Sequence, residues 1–126
     1  MKLAIAGLVP LMGGAILIAT APSPAASQAT ATRAPAAFQQ CATCHAIEAG
    51  KNGIGPSLAG VYGRRSGTAR GYSYSPGMQR AGKTWSEQEL DVFLSDPGKA
   101  VPGTRMPVPV RNAAQRKAII EYLKTL

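Results

Sequence analysis

Aromatic side chains are scarce in this chain of 126 residues: one Trp, two Phe and four Tyr stand against fourteen Gly and ten Pro. A body this short and this poor in large apolar groups struggles to close a core unaided, so something other than side chains should fill its middle. Cysteine is nearly absent, at two, and histidine occurs once. That count excludes the usual structural zinc site, which takes four Cys or His ligands. Acids are few as well, six against fourteen Lys and Arg, for a formal charge of +8. No strand-like alternation lies between His45 and Trp85, no internal repeat is evident and no nucleic-acid-binding motif occurs. The length allows a single domain.

What is present begins with an export signal. Lys2 forms a minimal positive start, Leu3 to Ala21 is uncharged and mostly apolar, and small residues end it in the A-x-A pattern Ala19-Thr20-Ala21, repeated at Ala29-Thr30-Ala31. The reading is a signal peptide over 1–21, a flexible Ala, Ser, Thr and Pro-rich leader over 22–35 and one domain over 36–126. The alternative is an uncleaved helical anchor, since the apolar run approaches the ~20 residues that span a bilayer; Pro10 and Gly13-Gly14 weaken it. Export places the domain in the periplasm, where nucleic acid is an improbable partner. Basic residues spread from Arg64-Arg65 to Lys124 fit an acidic one.

Three helices are legible. The first runs from Ala36 to about Cys44, with Pro35 near its start and Phe38 turned inward. In the second, Ser86 caps and Glu89 reaches back, ahead of Leu90, Val92, Phe93 and Leu94, and Pro97-Gly98 stops it. Asn112 and Gln115 repeat the pattern for the third, whose Ile119, Ile120, Tyr122, Leu123 and Leu126 should pack on the first helix. Between His45 and Trp85 lie turn signals, including Asn52-Gly53, Gly55-Pro56 and Pro76-Gly77. A connection so long suits a compact domain only if it wraps something.

The segment Cys41-Ala42-Thr43-Cys44-His45 says what is wrapped. Two thiols at this spacing can add to the vinyl groups of a haem, and the imidazole that follows can then ligate the iron. Rival readings are a redox dithiol, which normally sits in a strand-and-helix setting, and chance. A second ligand is at hand in Met106, 61 positions after His45. Methionine is by default a core filler, the reading given to Met12 and Met78. Met106 differs because Pro102, Pro107 and Pro109 restrict the backbone around it, so its thioether is held in place with little further loss of entropy. Sulfur opposite His favours ferrous iron and fills the sixth position, which suits electron transfer better than catalysis.

With these residues in view the chain resembles the class I cytochromes c of the mitochondrial and photosynthetic-bacterial branch. The shared stretches are CATCH at 41–45, GPSLAGVYGRRSG from Gly55, GYSYSPGM from Gly71, KTW at 83–85, PGTRM at 102–106 and EYLK near the end. The resemblance implies an all-α fold of three main helices and long loops around one covalently bound haem c. It implies that the Pro56 carbonyl accepts a hydrogen bond from the axial His45, and that Arg64, Tyr74, Trp85 and Thr104 bond to or neutralise the haem propionates. It further implies a monomeric one-electron carrier, not an enzyme. Its partners would have acidic docking faces, such as a quinol-cytochrome c oxidoreductase and a terminal oxidase, and would meet a basic rim of Lys51, Lys99, Arg105 and Arg111. Three positions depart from the pattern: Met78 where Asn is common, Phe93 where Tyr is common and Val108 where Phe is common. Each change removes support near the sulfur, so a loosely held Met106 is expected.

Overall fold

The computed structural model describes residues 32–126, so the expected signal peptide and most of the leader lie outside the described residues. The last part of the leader is described, and there Ala34 already packs on the core. All regular structure in the described residues is helical: a 3-10 turn at Ala36–Phe38 continuing into α1 (Gln39–Ala42), then α2 (Pro76–Arg80), α3 (Glu87–Ser95), α4 (Pro97–Ala100) and α5 (Ala113–Leu123).

Local chemistry sets the helix ends. Ser86 Oγ accepts from Glu89 N at 3.2 Å, but the Glu89 carboxylate turns away to Lys83 Nζ at 2.6 Å, leaving only half of the expected capping box. Asn112 Oδ1 accepts from Gln115 N at 3.0 Å and starts α5. The first helix is shorter than expected, because Thr43 and Cys44 leave it as a turn while the chain swings His45 inward. Two one-turn helices were hidden in what reads as turn chemistry. Ser75 and Asp96 each cap one, by accepting from Met78 N and Lys99 N, and each has Pro at its first position, where the missing N–H costs nothing. Pro97-Gly98 thus begins a new helical turn as well as ending α3.

α5 packs on α3 and, as expected, on the first turn: the rings of Phe38 and Tyr122 meet edge to face at 4.8 Å. Such a pair adds roughly 0.5–1.5 kcal/mol to the burial of its area. Ile119, Ile120 and Leu123 complete that face with Leu90 and Leu94. Ion pairs lace the same helices from outside. Lys124 joins Glu87 and Glu121, each at 2.7 Å, and Arg116 Nε meets Asp91 at 2.6 Å. With Glu48 near Lys51 at 3.8 Å, Glu89 on Lys83 and Asp96 at its cap, all six acids of the sequence have internal partners.

Candidate functional site

The long loops and helices enclose a cavity of about 360 Å³, within the ~300–1,000 Å³ typical of cofactor pockets. Its wall is mainly apolar, built from side chains such as Phe38, Leu58, Val61, Leu90 and Leu94. The scarcity of aromatics has this physical counterpart: the helices meet around a space that their side chains do not fill. Every residue expected at the site lines it, namely Cys41, Cys44, His45, Pro56, Arg64, Tyr74, Trp85, Thr104 and Met106.

His45 is held from two sides. Its Nδ1 lies 2.7 Å from Pro56 O, and since a carbonyl can only accept, Nδ1 carries the proton and Nε2 keeps its lone pair. Gly55 supplies the space: a Cβ there would overlap the imidazole, lying 2.6 Å from Nδ1 and 2.8 Å from Nε2. The loop is fixed in turn by Gly55 N donating to Cys44 O at 2.8 Å and by Asn52, which accepts from Ser57 N at 3.0 Å and donates to Arg70 O at 2.8 Å.

Arg64 and Trp85 reach the cavity through a short antiparallel pairing that the sequence did not reveal, in which Trp85 N donates to Arg64 O at 2.9 Å and Gly63 N to Trp85 O at 2.9 Å. Two guanidinium nitrogens of Arg64 donate to Ala59 O at 3.0 Å and Ser57 O at 3.2 Å. Its Nε is buried without a partner among the described residues, an expensive arrangement for a charged group unless an acceptor belongs there. Tyr74 Oη accepts from Ala69 N at 3.1 Å, and Thr104 Oγ1 accepts from Met106 N at 3.3 Å.

Tyr72, absent from the residues expected at the site, also lines the cavity, donates to Ile54 O at 2.7 Å and stacks its edge on Tyr74 at 4.8 Å. The two-residue spacing of Tyr72 and Tyr74 was the available signal. Met78 is core, as expected, and Phe93 is buried beside Trp85 at 5.0 Å; both line the cavity with Val108 and leave that side without their hydrogen bonds. Of the basic rim, Arg105 lines the cavity, while Lys51 pairs with Glu48 and Lys99 sits on α4.

These residues fit a haem. The cavity is apolar enough for a porphyrin, the orphaned Arg64 Nε offers a propionate a donor, and the thiols stand beside an imidazole whose Nε2 is free to ligate iron. A redox dithiol fits poorly, because burial pushes the Cys41 thiol up, away from the thiolate such chemistry needs. Among the described residues no group of three His, Cys, Asp or Glu side chains could hold a metal ion alone.

Comparison with known proteins agrees. Residues 31–126 match the family model for cytochrome c. A cytochrome c2 iso-2 of Magnetospirillum molischianum is 51% identical over 94 residues, covering 74% of this chain and 97% of the relative. A cytochrome c2 of Rhodopseudomonas palustris is 40% identical over 113 residues, covering 76% and 97%. Among solved structures, cytochrome cH from Methylobacterium extorquens superposes with a TM-score of 0.68 at 42% identity, covering 71% of this chain and 92% of that one. The chain belongs to the cytochrome c family, as a small all-α electron-transport protein carrying one covalently attached haem c.

Proposed function

We propose that the chain shuttles single electrons in the periplasm, with Cys41 and Cys44 as the thioether attachments and His45 and Met106 as the two axial iron ligands. The observation that carries this reading is the His45 Nδ1 bond to Pro56 O, which orients the ring and leaves Nε2 as the ligating nitrogen. Met106 lines the same cavity on a proline-bounded loop whose backbone is tied by the Thr104 hydroxyl. Bound haem supplies the ferric/ferrous couple. The protein's part is to exclude water with the apolar wall, to neutralise propionates through Arg64, Tyr74, Trp85 and Thr104, and to keep the sixth position filled. A closed iron gives electron transfer without substrate chemistry.

The remaining cations are read as the docking charge. With every acid engaged internally, Arg65, Arg70, Arg80 and Arg111 face partners without a carboxylate partner of their own, which favours acidic docking surfaces such as those expected on a quinol-cytochrome c oxidoreductase or a terminal oxidase. Carbon monoxide added to the reduced protein tests the ligation. The parent spectrum should change little and that of Met106→Ala should shift fully; a parent that binds the gas readily overturns the closed-iron reading.

A further inference from the structure

The sixth ligand needs a buttress, and the usual candidates near it are apolar here, since Met78, Phe93 and Val108 offer the sulfur no hydrogen bond. Two contacts of another kind tie the Met106 loop down, both to the segment around α2. At Gly77 the backbone of α2 lies directly against the loop: a Cβ there would overlap Pro102 O and come within 3.2 Å of Pro102 C and 3.3 Å of Gly103 C. Gly103 has φ +83°, the left-handed region that glycine takes without strain, and so turns the loop against Gly77. Beside this contact Arg105 Nη1 donates to Ser73 O at 3.0 Å, joining residues 32 apart in sequence.

α2 is itself braced from another direction. A Cβ at Gly67 would come within 3.2 Å of Met78 O and 3.3 Å of Gln79 Cα, so a second loop backbone also approaches the helix closely. Met78, next to Gly77, is buried in the cavity wall. α2 cannot yield towards the Gly67 loop without carrying that wall with it.

We propose that Gly77 and Arg105 are positioning residues for the sixth ligand, latching the Met106 loop to α2 so that freeing the iron requires parting Gly77 from Pro102 and Arg105 from Ser73. The inference rests on Met106 being the ligand. It also gives Arg105 a role besides docking charge.

Imidazole, a small neutral ligand, measures the latch by its rate of entry to the ferric haem in stopped flow, because it must wait for the loop to open and is indifferent to docking charge. Gly77→Ala should speed entry by about ten-fold, the effect of forcing a methyl into a packed contact. Arg105→Gln should speed it by about three-fold, for one exposed hydrogen bond. Gly98→Ala is the control, since its nearest neighbour would be Asp96 Oδ1 at 3.9 Å, and it should match the parent. Urea unfolding run alongside separates opening from general loosening. Entry at the parental rate in Gly77→Ala, or entry that rises only as far as global stability falls, overturns the latch; should that variant not fold, a parental rate in Arg105→Gln does so. A parent lacking the absorption band of sulfur-ligated iron would bring down the ligand reading and the latch together, whereas a parent with the band and unmoved variants would remove the latch alone.

Discussion

Gly55 and Arg64 show how much of this site depends on single atoms. At Gly55 the absence of a side chain is the function, because the His45 ring occupies that space. Gly55→Ala should therefore displace the imidazole from Pro56 O and destabilise the holoprotein by about 1–3 kcal/mol, the usual range for overpacking, as read by urea unfolding. Arg64 carries a charge buried beside the cavity, with two nitrogens bonded to backbone carbonyls and the third without a partner among the described residues. On the proposed reading, removing it by Arg64→Met leaves a propionate without its counter-charge. Ferric haem is the more positive state and gains from the uncompensated anion, so the midpoint potential should fall in a potentiometric titration. Hydrogen bonds involving charged groups are worth about 1.5–3 kcal/mol, and the loss should appear in stability too. Both residues act through contacts between segments, which explains how unevenly they could be read from sequence. Cys41, Cys44 and His45 declare their chemistry by spacing alone, whereas Gly55 looks like any turn glycine and Arg64 is indistinguishable from Arg65 until Trp85 pairs with its backbone.

Helices were legible where their signals are local. Ser86 and Asn112 cap as their sequences imply, and replacing either by Ala should cost about 1 kcal/mol. The one-turn helices α2 and α4 are hidden in the sequence, because Pro-Gly pairs suggest turns and the signal for a helix lies in the caps Ser75 and Asp96 one position earlier. Phe38 faced inward as expected, and Phe38→Ala should cost about 3–5 kcal/mol through the cavity left against Tyr122. Outside the core, α3 and α5 are joined by charge. The hydrogen bond from Lys124 holds the Glu87 carboxyl below its ordinary value of 4.5, and the bonds that Lys124 donates to Glu121 and Glu87 raise Lys124. A depressed carboxylate stabilises the fold above its unfolded value and loses that contribution as pH falls through its folded value. A raised ammonium does so below its unfolded value and loses it only as pH rises through the folded one. The clasp therefore fails on the acid side first. Glu87→Gln should flatten the stability profile below about pH 4.5 and leave the neutral plateau nearly unchanged, as followed by thermal melts across pH.

As a whole the molecule is a shell around something it does not encode. The expectation that long Gly- and Pro-rich connections must wrap an object followed from how little the side chains could bury, and the cavity bears it out. Sequence did not show which cations are engaged: Lys83, Arg116 and Lys124 pair with acids of the helices and Arg105 bonds to Ser73 O, so fewer cations are left for the proposed docking face than a count of basic residues suggests. Oxidation by an acidic partner should slow as salt rises past ~0.1 M, where the Debye length is about 10 Å, and a salt-independent rate would refute electrostatic docking.

Six acids paired within the molecule and a surplus of unpaired cations also govern how the protein meets its own kind. Two copies approaching edge to edge present like charge to like charge, with no anionic patch free to turn towards the other. Self-exchange of electrons, measured by NMR line broadening in mixed oxidation states, should accelerate with added salt while the reaction with an acidic partner slows. On the proposed reading, the charges that hasten delivery would also keep a crowded population of carriers from trading electrons among themselves.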